Sequence, residues 1–221
     1  MNFSSSFVIT DSSPQFLQNF LVGTLPDVNK AFRASLPGVL KKTRENFVDI
    51  MTSDQVITLL MNGQFDADLG FQPGEGKSIF LTMISALAND MRINYTPLSL
   101  SGNRISGGAE LYVLNEDFQV ILNLPGVSRM TTGGLFPWLE WMLTQGDKIV
   151  IVGFDIHYGP FPNSRSGQAV MKADSTGFWK MPTDIAGTNG NNVFTKAITT
   201  AISLFEDYVT DVFQLELEKA L

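Results

Sequence analysis

The chain contains no cysteine, which excludes thiol nucleophiles, cysteine-ligated zinc and disulfide frameworks. It has a single histidine, His157, and one histidine cannot build a multi-histidine metal site. Basic residues are scarce: 15 Lys and Arg stand against 22 Asp and Glu, for a formal net charge of -7. The only dense basic cluster, Lys41, Lys42 and Arg44, is short. This composition argues against DNA wrapping, which needs clustered cations to displace counterions. Long apolar runs are also missing. No window approaches the ~20 consecutive apolar residues of a membrane-spanning helix, so no membrane partner is expected. The start, Met1-Asn2-Phe3-Ser4-Ser5-Ser6, has no basic region and no sustained apolar run, so no secretory leader is expected. Without a leader, the glycosylation pattern Asn94-Tyr95-Thr96 reads as chance.

What is present is a 221-residue chain that is 44% hydrophobic. That length suits one large domain, or one domain with an arm, and can bury roughly 70% of its unfolded surface. Tyr and Trp number only 4 and 3, but Phe numbers 17, which suits a core or an oligomer interface.

Residues 1–24 read as an N-terminal arm. Phe7, Val8 and Ile9 form a short apolar stretch between Ser-rich segments. Such an arm could add to a sheet edge of a neighbouring subunit, or end as a partly ordered terminus. Residues 25–221 read as one domain. Val28, Phe32, Val39, Leu40, Phe47 and Met51 approximate a helical face. Pro37 belongs in a first turn after a Ser35 cap, so the spacing predicts a short helix and then a longer one over 36–52. Ser53-Asp54 caps a further short helix that Asn62-Gly63 ends. Phe80, Met83, Ile84, Leu87 and Met91 mark a helix over 77–91.

The period then shortens. Residues 93–100, 109–114 and 118–122 read as strands, the last two joined by a hairpin at Asn115-Glu116-Asp117. Gly133-Gly134 precedes a short amphipathic helix over 135–143, ended by Gly146. Residues 148–158 are the strongest strand, and the unbroken Ile149-Val150-Ile151-Val152 run suggests cover on both faces. Residues 167–172 and 177–181 complete a sheet edge. Asn191 or Asn192 caps a long last helix with Phe194, Ile198, Ala201, Phe205, Tyr208, Val212 and Leu215 on one face. The expected fold is α+β: N-terminal helices, a mainly antiparallel sheet with an inserted short helix, and a long C-terminal helix.

Chemical motifs are few. Gly70-Phe71-Gln72-Pro73-Gly74-Glu75-Gly76-Lys77-Ser78 ends as a phosphate-cradling loop does. However, five residues rather than four separate Gly70 from Gly76, and the preceding residues make a poor strand. A turn and helix start is the better reading, and no cofactor is expected. A Ser-His-Asp triad would have to use His157, and no Gly-x-Ser-x-Gly elbow occurs, so His157 reads as a plain strand residue. Asp66 and Asp68 could hold a cation, but no bidentate Glu follows at loop spacing, and a solvated turn fits better. Trp138 and Trp141 are three apart and expected on one face, as core residues or else as an oligomer anchor. Arg165 among small polar residues suits capture of a neighbour's carboxylate, or a solvated hairpin loop.

The stretch from Leu135 to Ile198 resembles a segment shared by tail-completion and head–tail joining (neck) proteins of tailed bacteriophages. The matching residues are Phe136-Pro137-Trp138-Leu139-Glu140-Trp141-Met142-Leu143 and Gly146-Asp147-Lys148-Ile149. They continue with Gly159-Pro160, Asn163-Ser164-Arg165-Ser166-Gly167, Trp179-Lys180-Met181-Pro182, Ile185-Ala186-Gly187-Thr188 and Asn191-Asn192-Val193-Phe194-Thr195-Lys196-Ala197-Ile198. The resemblance covers about a third of the chain. It implies a non-enzymatic virion structural protein, assembled in the host cytoplasm, that closes into a homo-oligomeric ring joining head to tail. Its partners would be other neck and tail proteins, and genomic DNA would pass through the lumen without specific binding. An acidic lumen would repel phosphate. Alternatives are another tail subunit (tail terminator, tube or baseplate component) and an unrelated nucleotide-binding enzyme. Phe7, Val8, Ile9, Trp138, Trp141 and Arg165 are the candidate oligomer-interface residues.

Overall fold

The computed structural model describes residues 7–8, 14–101, 104–113, 118–131 and 134–220. The elements run β1 (Phe7–Val8), α1 (Pro14–Ser53), α2 (Gln55–Met61), α3 (Asp66–Leu69), α4 (Glu75–Asp90), β2 (Arg92–Ser101) and β3 (Arg104–Tyr112). They continue with α5 (Gln119–Leu122), β4 (Arg129–Thr131), β5 (Gly134–Phe136), α6 (Trp138–Thr144), β6 (Ile149–Tyr158), β7 (Ala169–Lys180) and α7 (Val193–Ala220). The fold is α+β, and every strand pairing among the described residues is antiparallel. The expected single sheet is instead three separate ones, ordered β1-β3-β2, β4-β5 and β6-β7. Contacts divide the chain into two compact units, Met1–Asn46 with Asp90–Glu116 and Thr199–Leu221, and Phe47–Asn89 with Asp117–Ile198.

In the first unit α1 is one helix, not two, and it starts at Pro14 inside the expected arm. Pro26 and Pro37 both lie within it. An interior proline removes a backbone donor and crowds the preceding turn. Here the buried face Leu25, Val28, Phe32, Leu36 and Val39 continues past both prolines at steps of three and four, and that packing outweighs the local cost. Phe32 is fully buried, with edge contacts to Tyr95 at 5.9 Å and Phe213 at 6.0 Å. The β2–β3 register shifts between Thr96 and Ser99, which leaves the Leu98 backbone outside the ladder. Asn29 takes up both of its groups: Oδ1 accepts the Leu98 N–H at 2.7 Å and Nδ2 donates to the Leu98 carbonyl at 2.9 Å. Tyr95 donates its hydroxyl to the same Oδ1 at 2.5 Å. Buried polar backbone is thereby satisfied by a side chain.

The buried face of α7 follows Ala201, Ile202, Phe205, Val209 and Phe213, so it drifts from the expected Tyr208, Val212 and Leu215. Tyr208 turns to polar partners instead: Asn46 donates to its hydroxyl and the Lys42 ammonium sits 3.8 Å from its ring centre.

In the second unit Asp54 caps α2, its carboxylate accepting the N–H groups of Val56 at 2.8 Å and Ile57 at 3.2 Å. The expected face of α4, Phe80, Met83, Ile84 and Leu87, is buried. Residues 118–122 do not form a strand. Phe118 takes a left-handed conformation (φ 57) and starts the helical turn α5, which buries Ile121. So short an apolar run has no decisive period. The hairpin expected at 115–117 lies outside the described residues. Asn192 caps α7 reciprocally, its Oδ1 accepting the Thr195 N–H at 3.0 Å and its own N–H donating to Thr195 Oγ1 at 2.9 Å.

The two strand fragments expected at 167–172 and 177–181 are one strand, β7, paired with β6. The register shifts between Val152 and Phe154, and Gly177 faces this bulge. A Cβ there would lie 2.6 Å from the Phe154 carbonyl oxygen, so glycine is required. The strand β6 is not covered on both faces: Ile149, Val152, Phe154 and Tyr158 are exposed. The ribbon β6–β7 has no third strand among the described residues. Its β-branched run therefore belongs to a half-exposed two-stranded ribbon rather than a central strand.

Candidate functional site: an aromatic cleft beside the β6–β7 ribbon

The second unit contains a cleft of about 500 Å³ between the inner side of the ribbon, β5, α6 and the end of α3. Phe136 and Trp141 form its aromatic wall, with ring centres 5.3 Å apart at 78°. Trp179 supports both from behind, 5.4 Å from Phe136 and 6.5 Å from Trp141. Ile151 and Val170 supply the aliphatic side, and Asp68 and Arg165 supply charge.

The two charged groups are held by their own chain. Asp68 Oδ1 accepts the Tyr158 hydroxyl at 2.5 Å. Desolvation raises the Asp68 carboxyl above its ordinary value despite that bond. Desolvation and then the Asp68 carboxylate push the Tyr158 phenol up. Arg165 is exposed and donates to the Met130 carbonyl on β4. Its loop is ordered by local bonds, among them Ser164 N–H to the Phe161 carbonyl at 2.8 Å. Ser166 Oγ accepts the Ala169 N–H at 3.1 Å.

Next to the cleft lies the Gly-Lys-Ser segment. It follows the helical turn α3, not a strand. The Gly74 N–H is accepted by Asp66 Oδ2 at 3.1 Å and the Gln72 N–H by Glu75 Oε2 at 2.9 Å. Amides that a phosphate would need are thus occupied by carboxylates of the same chain, which would repel it. Asp66 is only 2% exposed, a correction to its reading as part of a solvated turn. Its Oδ1 has no hydrogen-bond partner, and it crowds the Cα of Gly76, where an added Cβ would meet Asp66 Oδ1 at 3.1 Å and the Leu60 carbonyl at 2.8 Å. Desolvation raises the Asp66 carboxyl, the Gly74 N–H lowers it, and Glu75 raises it again, for a net rise. Glu75 is displaced the other way. Desolvation raises it, but hydrogen bonds from Gln72 and Arg129 and the positive charge of Arg129 and Arg165 bring it below the ordinary value. The Arg129 guanidinium also lies 5.2 Å from the Phe71 ring centre.

The expected interface residues are scattered. Phe7 and Val8 pair with Ile105 and Arg104 of β3 in the same chain, and Ile9 lies outside the described residues. Trp138 and Trp141 do not share an environment. Trp138 is fully buried between Phe71 at 5.0 Å and Phe80 at 5.7 Å, with its Nε1 donating to the Gly126 carbonyl at 2.8 Å. It is core and cannot be a docking anchor. Trp141 lines the cleft. On a helix of seven residues wedged between core and cleft, a spacing of three is enough to separate the two. His157 is exposed on β6 opposite Val170, and Asp155 Oδ1 accepts the Ile156 N–H at 2.9 Å. The aromatic supports Phe136 and Trp179 were not singled out as site residues from sequence, and Asp66 was weighed there only as half of a cation-binding pair. The Trp179-Lys180-Met181-Pro182 match was the available signal for Trp179.

Among the described residues no group of three or more His, Asp or Glu is placed to hold a metal ion, and no helix is long and apolar enough to cross a membrane. The chain matches no protein-family model, no curated protein and no solved structure.

Proposed function

We propose that this chain is a structural subunit of a tailed-bacteriophage particle, a ring-forming neck or tail-completion protein that joins head to tail. The observation that carries the reading is the ribbon β6–β7. It leaves Ile149, Val152 and Phe178 exposed to solvent, and it lies within the stretch that resembles neck proteins. Contiguous apolar surface of this kind marks an interaction site, and a subunit that functions only in an assembly has a use for it. The tight local bonding of the Arg165 loop and of the Gly-Lys-Ser segment fits a scaffold more readily than a reaction centre. The negative formal charge suits a channel through which DNA slides.

The test is genetic and biochemical. The chain should be found by mass spectrometry in purified particles, and disrupting its gene should leave DNA-filled heads and free tails that do not join. Normal infectious particles lacking the chain would overturn the proposal.

A further inference from the structure

We infer that the outer face of the β6–β7 ribbon binds the exposed stripe of α7 on a second copy of this chain, an inference that rests on the ring reading above. Val152 and Phe178 oppose each other across the ribbon. They are 75% and 53% exposed, and Ile149 is 54% exposed. Trp179, next to Phe178 on β7, is buried against Phe136 and Trp141. Successive strand residues alternate in direction, so Trp179 faces the chain's own aromatic wall while Ile149 and Phe178 face away from it, and Val152 reaches the cleft rim yet stays largely exposed. Lys180 pairs across from Ile149, and the exposed Lys148 precedes it. The apolar trio is therefore flanked by two cations, with Asp147 in the turn before them.

A surface of opposite charge, with an apolar residue at its centre, occurs on α7. Asp207, Asp211, Leu215 and Glu218 follow one another at steps of four, four and three and are all exposed, so they form one stripe. Leu215, 49% exposed, sits between Asp211 and Glu218. The same helix buries Phe205, Val209 and Phe213 on another face. Glu206 and Glu216 add to the negative charge, and the one cation of this segment, Lys219, is bound to Glu216 at 2.8 Å. An apolar patch between lysines and an apolar residue between carboxylates are complementary. Two ribbons meeting face to face would oppose Lys148 and Lys180 to their own copies, and two α7 stripes would oppose acid to acid. The contact is therefore head-to-tail, and such contacts propagate from copy to copy and form a ring where the rotation between copies closes.

The experiment uses the full-length chain in sedimentation velocity, with Val152→Asp to disable the ribbon and Leu215→Lys to disable the helix. Both positions are exposed, so the melting curves should match the parent. Each variant alone should lose association by about 10- to 100-fold, the loss of one buried aliphatic contact. Mixed together, they should form a 1:1 dimer and nothing larger, because one intact ribbon and one intact helix remain. Assembly of Val152→Asp alone, or of Leu215→Lys alone, at the parent's level would overturn this contact while leaving the ring reading standing. A mixture that stays monomeric would overturn it equally. A parent chain that stays monomeric at every concentration and is missing from purified particles would remove both the contact and the ring.

Discussion

Asp66 is a buried carboxyl held by a single N–H bond from Gly74, with its other oxygen unpartnered, and its pKa is raised, first of all by desolvation. A carboxyl whose folded value exceeds its unfolded one binds a proton more tightly in the folded state. Its contribution is then fully present below the unfolded value of about 4 and is lost as pH rises through the folded value. Asp66→Asn keeps an acceptor for Gly74 and removes the titration. The difference in stability between Asp66→Asn and the parent should start near zero at pH 4. It should grow in the variant's favour toward pH 7, by on the order of 1 kcal/mol for each pH unit by which burial displaces the carboxyl. Asp66→Ala also removes the acceptor and should lie about 1–3 kcal/mol below Asp66→Asn. Urea unfolding midpoints at half-unit pH steps measure both. Glu75, held low by the Gln72 N–H and then by Arg129 and Arg165 against its desolvation, pulls the parent's own curve the opposite way, so the difference from the variant is the quantity to read. If the parent gains on Asp66→Asn as pH rises from 4 to 7, the carboxylate is stabilised in the fold and the reasoning is refuted.

Phe205→Ala removes a fully buried ring from α7 and should cost ~3–5 kcal/mol in chemical denaturation; a change under 1 kcal/mol would mean the helix is not packed as described. Asn29→Ala strands both backbone groups of Leu98 and should cost about 1–3 kcal/mol, whereas an unchanged midpoint would show that water replaces the amide. Lys77→Ala should leave stability within about 0.5 kcal/mol, and isothermal titration with ATP should give no heat in parent or variant. Micromolar ATP binding lost in the variant would restore the nucleotide-binding alternative. Arg165→Glu should likewise stay within about 1 kcal/mol, since the side chain is exposed and bonds one carbonyl.

The α+β class, α4 with its face, the Asp54 cap and the Asn192 cap were all legible in the sequence, because each rests on spacing or on a side chain reaching a nearby backbone amide. Three features were not. Pro37 suggested a helix start, and only the unbroken burial of Val28, Phe32, Leu36 and Val39 overrides it. The Ile149–Val152 run looked like a central strand because β propensity reports pleated surface, not which neighbours cover it. The separation of Trp138 from Trp141, and the assembly of Trp141 with Phe136 and Trp179, depends on tertiary packing between residues far apart in the chain. Local spacing carries no such information. The sequence singled out Arg165 correctly as exposed, but not that its guanidinium turns back to Met130.

The most direct measurement is electron cryomicroscopy of purified particles carrying this chain with a gold-labelled C-terminal tag. Label should lie at the head–tail junction, in a fixed number per particle and arranged around the tail axis. Label absent from particles, or spread along the head shell, would contradict it.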